Sequence, residues 1–211
     1  MLPRSRLARL IWAASAVLLA SATSVLAVRG ARKPYAPSAP GYREQGPAGA
    51  RVTVVEYSDF QCPACRLAVS PMKGLLALYG PELRLIYKHF PLTKAHERAL
   101  PAARAAECAG QQGRFWDFHD LLYDKQAEWT PDASGRIFES YAKKLGMDLP
   151  TFQTCLKDPS VEALVTRDMR EGNDHWVVST PTFFINGKRF VGARQLSERG
   201  TIWVDQILKK K

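Results

Sequence analysis

The chain has 211 residues. Between residues 52 and 87, the pattern of apolar and polar positions predicts two β-strands with a helix between them. Residues 52–57 are β-branched and aromatic apart from one glutamate, which is typical of a buried strand. Residues 66–79 carry leucines at roughly helical spacing and therefore predict an amphipathic helix. A second apolar run, 83–87, predicts the next strand.

The rest of the chain predicts a helical block followed by a β-hairpin and a helix. Glycines and prolines divide a long helical pattern, residues 95–172, into several short helices. A strand-like run from 177 to 186 ends at Asn186-Gly187, which is a strong hairpin signal before a returning strand at 188–191. An amphipathic pattern over 196–210 predicts the closing helix. This order of elements indicates an α/β fold.

The first 28 residues have the pattern of an export segment. Basic residues precede an uncharged stretch from residue 10 to 28, and Ala20-Ser21-Ala22 offers a cleavage site. If the stretch is not cleaved, it is long enough to serve as a membrane anchor. In both cases the positive residues before it direct the body of the chain out of the cytoplasm.

Net charge is +10, but its distribution argues against nucleic acid as a partner. Residues 1–43 carry seven basic side chains and no acidic one, so the rest of the chain is close to neutral. The body has no stripe of lysine and arginine interleaved with aromatic residues. Residues 29–48 are rich in proline and glycine and predict a linker to one domain over 49–211.

The motif Cys62-Pro63-Ala64-Cys65 lies between the first predicted strand and its helix. Two cysteines at this spacing can close a disulfide and reopen it, exchanging two electrons with cysteines of other proteins. Because Pro63 suits the first helical position, Cys62 is predicted at the N-cap. Free N–H groups and the helix dipole favour a thiolate there, so we expect Cys62 to attack and Cys65 to resolve.

The other two cysteines, Cys108 and Cys155, lie far downstream and far from each other. A zinc site normally needs a second clustered pair, so the sequence predicts no metal and no cofactor besides the redox-active disulfide Cys62–Cys65. For an exported chain, an even cysteine count predicts a structural Cys108–Cys155 bridge. The alternative is two buried free cysteines that pack as small hydrophobic residues.

The chain resembles the DsbA-like thiol-disulfide oxidoreductases from about residue 49 to its C-terminus. The resemblance rests on Glu56-Tyr-Ser-Asp-Phe-Gln-Cys-Pro-Ala-Cys65, Lys88-His-Phe-Pro-Leu92, Ala105-Ala-Glu-Cys-Ala109 with Gly113-Arg-Phe-Trp116, and Thr180-Pro-Thr-Phe-Phe-Ile-Asn-Gly187. It implies a thioredoxin-like fold in which the helical domain 95–172 is inserted between the second and third core strands. By the same resemblance Pro181 is a cis-proline beside the cysteines, and Thr180 offers backbone groups to an extended substrate segment.

Glu56 matches an acidic residue that this family carries on its central strand. The match implies a carboxyl group that is half buried, has a raised pKa and exchanges a proton with Cys65. The alternative is a solvated glutamate at the strand edge. Asp59 is interpreted as a turn former before the helix rather than as a catalytic group.

The predicted function is exchange of the Cys62–Cys65 disulfide with cysteines of reduced exported client proteins, in the oxidase direction. We expect a monomer in the periplasm or on the outer face of the cytoplasmic membrane, tethered if residues 10–28 are retained, and reoxidised by a membrane-embedded thiol oxidase. The best-known oxidants of the family have a histidine between the cysteines, where this chain has Pro63-Ala64. Lack of an imidazole weakens an oxidant, so a reductase or isomerase role stays open. A chaperone or a copper-binding protein using Cys62 and Cys65 as soft ligands is the alternative from another class.

Overall fold

The computed structural model describes residues 37–210; the predicted export segment, 1–28, and the first part of the predicted linker lie outside them. The strands are β1 (Glu44–Gln45), β2 (Val52–Ser58), β3 (Leu83–His89), β4 (Thr182–Ile185) and β5 (Lys188–Val191). The α-helices are α1 (Pro63–Tyr79), α2 (Ala99–Gln111), α3 (Phe115–Asp124), α4 (Gln126–Trp129), α5 (Arg136–Lys144), α6 (Leu149–Lys157), α7 (Pro159–Asp174), α8 (Gly192–Gln195) and α9 (Thr201–Lys209). Among the described residues, no helix is both long enough and apolar enough to span a membrane.

The sheet has the strand order β1-β3-β2-β4-β5, with β2 at its centre. Strand β2 runs parallel to β3 and antiparallel to β4, and all but one of its seven residues are buried. A strand covered on both faces needs apolar residues at successive positions, which explains the near-continuous apolar run. Helices α2 to α7 follow β3 and precede β4. The predicted α/β fold is confirmed.

The hairpin between β4 and β5 turns at Asn186 (φ 46°) and Gly187 (φ 81°). Positive φ at both central residues is the geometry of a type I′ turn, so the predicted hairpin is confirmed. The preceding strand is shorter than predicted: β4 begins only at residue 182, because Pro181 has no N–H to donate to a ladder. The helix predicted over 196–210 is divided into a π-helical turn at Leu196–Gly200 and α9, and the short helix α8 comes directly before it.

Two hydrophobic clusters form the core. One lies between α1, the sheet and the C-terminal helices, and is centred on residues such as Val54, Leu75 and Phe183. The other fills the helical block and extends to Cys62 and Cys65. The two cysteines of the motif therefore lie where the helical block meets the unit formed by β2 and α1.

The structure joins Cys108 of α2 to Cys155 of α6 by a disulfide, and both cysteines are buried. Cys62 and Cys65 are free thiols. The disulfide thus links two helices of the block and takes no part in the motif.

Part of the segment predicted as a linker is packed onto the domain. Residues Gly41–Arg43 form a 3-10 turn, and β1 pairs antiparallel with β3 through Glu44 and Ile86. Arg43 itself is completely buried. Proline and glycine content alone did not reveal that this stretch carries a side chain needed in the interior.

Arg43 and Lys88 of β3 are completely buried cations that share the carboxylate of Asp168 on α7. Arg43 Nε also lies 3.1 Å from a carboxylate oxygen of Glu107 on α2. Buried charges are tolerated only when they are paired and hydrogen-bonded. This network therefore holds the N-terminal segment and two helices of the block against β3.

Replacing Arg43 with alanine leaves the carboxylates of Asp168 and Glu107 without one of their cations. We expect Arg43→Ala to lower the free energy of unfolding by about 3–5 kcal/mol, measured by urea denaturation. Arg114→Ala is the matched control because it removes an arginine from an exposed pair with Asp117, for which about 1 kcal/mol or less is expected. Equal losses in the two variants would contradict the role assigned to the network.

Candidate active site

Cys62 is the N-cap of α1, with extended backbone angles (φ −73°, ψ 121°), and Pro63 is the first helical residue. A proline restricts the residue before it to extended conformations. Its missing N–H costs nothing at the first helical position, because that N–H would have no partner within the helix. The sequence thus places the Cys62 side chain at the open end of the helix. Pro63 and Ala64 are exposed, whereas Cys65 is completely buried.

The two thiols have opposite acidities. A hydrogen bond from the Cys65 side chain lowers the pKa of Cys62 to about 5 against the opposing effect of burial, and Thr180 and backbone N–H groups at the start of α1 contribute further. Burial raises the pKa of Cys65 well above its usual range, and its hydrogen bond to Cys62 adds to the rise. At neutral pH, reduced protein therefore carries a Cys62 thiolate and a Cys65 thiol.

Thr180 and Pro181 lie directly beside Cys62. The Cys62 Sγ lies 3.5 Å from the Thr180 carbonyl oxygen, although 118 residues separate the two in sequence. The Thr180–Pro181 peptide bond is cis, and both residues are buried. The loop is held here because the next residue, Thr182, pairs with Tyr57 of β2. The structure thus brings together Cys62, Thr180 and Pro181.

Glu56 lies on β2 between Tyr87 of β3 and Phe183 of β4, and only 4% of its surface is exposed. Burial raises the pKa of its carboxyl group to about 7, and a hydrogen bond with the Ser58 side chain partly opposes the rise. The group is more deeply buried than the half-buried carboxyl that the family resemblance implies. A pKa near neutrality suits a group that gives and takes a proton.

Ser58 was not identified from sequence, and it connects Glu56 with Cys65. Its side chain forms hydrogen bonds with the Glu56 carboxyl and with the Cys65 thiol. Its Oγ also lies 3.0 Å from the hydroxyl of Tyr123 in the helical block. A hydroxyl both donates and accepts, so Ser58 can interact with the carboxyl group of Glu56 and with the thiol of Cys65 in either role.

Asp59, interpreted from sequence as a turn former, also positions the buried cysteine. Its carboxylate accepts from the backbone N–H of Gln61 at 2.7 Å and of Leu92 at 2.8 Å, and from His96 Nδ1 at 2.8 Å. Its own backbone N–H donates to Cys65 Sγ at 3.4 Å. Asp59 therefore fixes the turn that carries a donor to the resolving sulfur.

Gln126 of α4 is a second positioning residue that sequence reasoning missed. Its buried side chain donates from Nε2 to the carbonyl oxygens of Phe60 at 2.7 Å and of Cys62 at 3.1 Å. These two hydrogen bonds attach the turn before α1 to the helical block. One signal was present: Phe118, Leu122 and Gln126 are four residues apart, so a glutamine continues an apolar stripe.

The thioredoxin family model matches residues 38–203 of the chain. The chain belongs to the thioredoxin family. Among solved structures it is similar to BdbD from Bacillus subtilis in its oxidised form (TM-score 0.70, 22% identity, 82% of this chain and 96% of that one). It is also similar to α-DsbA1 from Wolbachia pipientis (TM-score 0.69, 20% identity, 80% and 91% covered).

A thioredoxin-like oxidoreductase from Silicibacter pomeroyi DSS-3 matches with 28% identity and a TM-score of 0.65, over 82% of this chain and all of that one. The fold is therefore that of the DsbA-like thioredoxin proteins, with the helical block between β3 and β4. The fold that the sequence resemblance implied is confirmed.

Curated relatives that share more sequence identity with this chain than the solved structures above are named as Na⁺/H⁺ antiporters. A Na⁺/H⁺ antiporter NhaA 1 from Salinispora arenicola is 42% identical over 150 residues, which are 71% of this chain and 22% of the antiporter. NhaA 1 from Mycolicibacterium gilvum is 36% identical over 152 residues, or 70% of this chain and 24% of that protein. The chain thus spans about a quarter or less of these relatives, and the likeness concerns the thioredoxin-like part alone.

Loss of the two Gln126 hydrogen bonds should make the Cys62 thiolate less stable, because the turn before α1, which positions Cys62 against the helix N–H groups, is then less firmly held. We expect Gln126→Ala to raise the pKa of Cys62 by up to about one unit, the equivalent of one hydrogen bond. The measurement is the ultraviolet absorbance of the thiolate in reduced protein as a function of pH.

Gln153→Ala is the control for that experiment. Gln153 belongs to the same helical block and donates to Glu139 at 2.7 Å, within a pair of helices that does not include the motif. We expect it to leave the Cys62 titration unchanged even if it lowers stability. An equal shift in both variants would mean that Gln126 acts only through general stability.

The raised pKa of Glu56 makes stability depend on pH. The buried carboxyl group favours the folded state when it is neutral. Its contribution to the free energy of unfolding is therefore complete below pH 4.5, the ordinary pKa of a glutamate, and is lost as the pH rises through about 7. We expect Glu56→Gln to abolish this loss and to unfold with a free energy about 3 kcal/mol higher than wild type above neutral pH. The check is urea denaturation of reduced protein across this pH interval.

Glu162→Gln is the control, because Glu162 lies half-exposed on α7; this variant should keep the wild-type dependence of stability on pH. A Glu56→Gln variant whose stability falls with pH as steeply as that of wild type would contradict the assignment.

Proposed function

We propose that this chain is an exported protein disulfide oxidoreductase that passes its Cys62–Cys65 disulfide to cysteines of reduced client proteins. The observation that carries the proposal is the meeting of Cys62, at the open end of α1, with the backbone of Thr180 at 3.5 Å. A client segment that exchanges disulfides needs a reactive sulfur with backbone groups beside it, and Cys62 and Thr180 supply these two features. The thioredoxin family and the DsbA-like fold support the same enzyme class.

The exchange begins when a client thiolate attacks the Cys62 sulfur of the oxidised protein. The Cys62–Cys65 bond breaks, a client–Cys62 disulfide forms, and Cys65 leaves with the electron pair and takes a proton. A second client thiolate then attacks the client sulfur of the mixed disulfide and releases Cys62 as a thiolate. The client has lost two electrons, and the protein has gained them.

Glu56 and Ser58 are proposed to move the proton in this sequence. Glu56 has a pKa of about 7, so at neutral pH it is divided between its protonated and ionised forms. It can give its proton through Ser58 to the departing Cys65 sulfur and take it back when the disulfide reforms. A small cavity beside α1 is lined in part by Glu56, Lys73 and Trp116.

The oxidase direction is supported by the stabilised Cys62 thiolate. A thiolate that is more stable in reduced protein makes the corresponding disulfide a stronger oxidant. The stabilisation comes from the Cys65 thiol, from Thr180 and from the first N–H groups of α1, and not from a side chain of the Pro63-Ala64 dipeptide. These contacts act in place of the imidazole found in the best-known oxidants of the family.

The setting proposed for this activity is the periplasm or the outer face of the cytoplasmic membrane. It follows from the export pattern of residues 1–28 and includes a membrane tether if residues 10–28 are retained. The proposed partners are reduced exported client proteins and a membrane-embedded thiol oxidase that restores the Cys62–Cys65 disulfide. A monomer is sufficient, because Cys62, Cys65, Thr180 and Glu56 all belong to one chain.

The proposal is tested by mixing oxidised protein with reduced, unfolded ribonuclease and following the recovery of ribonuclease activity. Wild type should restore activity, and Cys62→Ser should not. Cys65→Ser cannot form the internal disulfide and should not restore activity either. When this variant is mixed with a client whose cysteines are already oxidised, Cys62 should attack a client disulfide and remain in a mixed disulfide, because the Cys65 thiol that would release it is missing. The Cys108→Ala/Cys155→Ala double variant is the control: its melting temperature should fall while exchange continues.

The same experiment distinguishes the alternatives when it is combined with the reduction potential of the Cys62–Cys65 couple. Rapid insulin reduction with no ribonuclease recovery would identify a reductase and contradict the proposed direction. Tight Cu(I) binding without turnover of either substrate would contradict the enzyme class.

A further inference from the structure

The positive charge of the domain is concentrated in its C-terminal segment. Residues 44–187 carry 16 basic and 18 acidic side chains, whereas residues 188–210 carry six basic and two acidic ones. The segment 188–210 comprises β5, α8, the π-helical turn and α9. It is therefore a basic segment on a body that is otherwise slightly acidic, and it attracts anionic partners.

Part of this segment surrounds a cavity of about 160 Å³ between β5 and α9. The cavity is lined by Lys188, Phe190, Arg199, Ile202, Trp203 and Gln206. None of these described residues is acidic. Because an apolar cavity of about 150 Å³ holds a benzene molecule, this cavity has room for a phosphate group. Two cations beside aromatic rings suit a ligand that is anionic at one end and apolar at the other.

The floor of the cavity is fixed by Trp203. Its Nε1 donates to the Ile185 carbonyl oxygen of β4 at 3.2 Å. Lys188 Nζ lies 3.8 Å from the centre of the Trp203 ring, a cation–π contact that holds the ammonium group in place and leaves its charge unneutralised. Within residues 37–210, neither Lys188 nor Arg199 forms an ion pair with a carboxylate. Both side chains are exposed, so both charges are available to a ligand.

Ile202 adds an apolar group to the rim of the cavity. Its side chain is 57% exposed, although the cations Lys188 and Arg199 line the same cavity. An exposed aliphatic group between cations matches the surface of a phospholipid bilayer, where anionic phosphates lie directly above acyl chains. The tryptophan beneath them also suits this boundary, because its ring is apolar and its N–H is polar. An acidic protein surface would match the charges but would leave Ile202 facing polar groups.

The cavity lies toward the end of the sheet that is opposite to the reactive motif. Lys188 pairs with Ile185 of β4, and Ile185 pairs with Val54 of β2. Val54 precedes Ser58, the last residue of β2, by four residues, which is about 13 Å along a strand. Cys62 follows the far end of β2, so Lys188 and Cys62 lie at different ends of the sheet.

The last lysines are gathered at the same end as Lys188. Arg51, immediately before β2, donates to the carbonyl oxygens of Leu208 at 3.1 Å and of Lys210 at 2.7 Å. Lys209 and Lys210 are both exposed. They therefore extend the positive surface around the cavity and leave Cys62 outside it.

We propose that Lys188, Arg199 and Ile202 dock the domain on a bilayer that contains anionic phospholipids, with a lipid phosphate in the cavity and Ile202 at the level of the upper acyl chains. The occupant follows from charge complementarity and from the apolar group beside the cations. The inference goes beyond the proposed function and does not depend on disulfide exchange. In the docked state Cys62 lies at the end of the sheet farther from the bilayer, where client proteins in solution can reach it.

The test measures how fast an amine-reactive reagent acylates Lys188 in the full chain, with mass spectrometry as the readout. One set of vesicles contains phosphatidylglycerol and phosphatidylcholine, and the other contains phosphatidylcholine alone. An anchor retained at residues 10–28 would insert into both, so the comparison reports the basic surface. Each basic residue near an anionic bilayer strengthens binding about fivefold, so the two cations should slow acylation about 30-fold on the phosphatidylglycerol vesicles. Acylation on phosphatidylcholine alone should be unchanged, and high salt should remove the difference.

Arg199→Gln should reduce the protection of Lys188 to about fivefold, because one of the two cations is missing. Ile202→Ser should also reduce it. Lys143 and Lys144, which are exposed at the end of α5, are the internal control and should be acylated equally on both kinds of vesicle. The double variant Lys143→Gln/Lys144→Gln loses two charges elsewhere and should keep the protection of Lys188. A loss of protection in this double variant as large as in Arg199→Gln would overturn the proposal.

The remaining outcomes identify other occupants. Protection of Lys188 that is equal on the two kinds of vesicle, or absent on both, would show that anionic lipid is not recognised. Equal protection by inorganic phosphate without vesicles would assign the cavity to a free anion. Protection that grows with protein concentration without vesicles would assign the surface to a second copy. Each of these results overturns the proposal, and none bears on ribonuclease refolding, so this inference and the proposed function can fail separately.

Discussion

The approach of the Thr180 backbone to the Cys62 sulfur is the constraint on which the site depends. It joins two segments 118 residues apart, and only the antiparallel pairing of β4 with β2 brings them together. Because that pairing begins directly after Pro181, a shift of register by one residue would move Thr180 away from the N-terminus of α1. Thr180 contributes at this junction to the low pKa of Cys62, whose main cause is the hydrogen bond from Cys65.

The helical block does more than cover the sheet. It supplies Gln126, which holds the carbonyl groups of the active-site turn, and Tyr123, which holds Ser58 between Glu56 and Cys65. It also keeps water away from the resolving cysteine and the buried glutamate. The difference in acidity between Cys62 and Cys65 thus depends both on the N-terminal end of α1 and on the helical block that buries Cys65.

Two residues break the local rules of the elements that carry them. Glu56 is a carboxyl group in the central strand of a sheet buried on both faces, and Trp176 occupies a left-handed position that favours glycine. Each costs stability where a valine or a glycine would not. Natural sequences keep such residues where chemistry or recognition requires them.

Short-range patterns in the sequence were sufficient to predict β2, α1 and the β4–β5 turn and to identify the motif Cys62-Pro63-Ala64-Cys65. The strand before Cys62, Pro63 at the first helical position and the Asn186-Gly187 turn depend on neighbours within a few residues, so periodicity and backbone preference predicted them. Arg43, Ser58 and Gln126 depend on partners brought near by the sheet and the helical block; Gln126, for example, is 64 residues from Cys62. Their roles come from burial and from the positions of distant polar atoms, which only the tertiary structure decides.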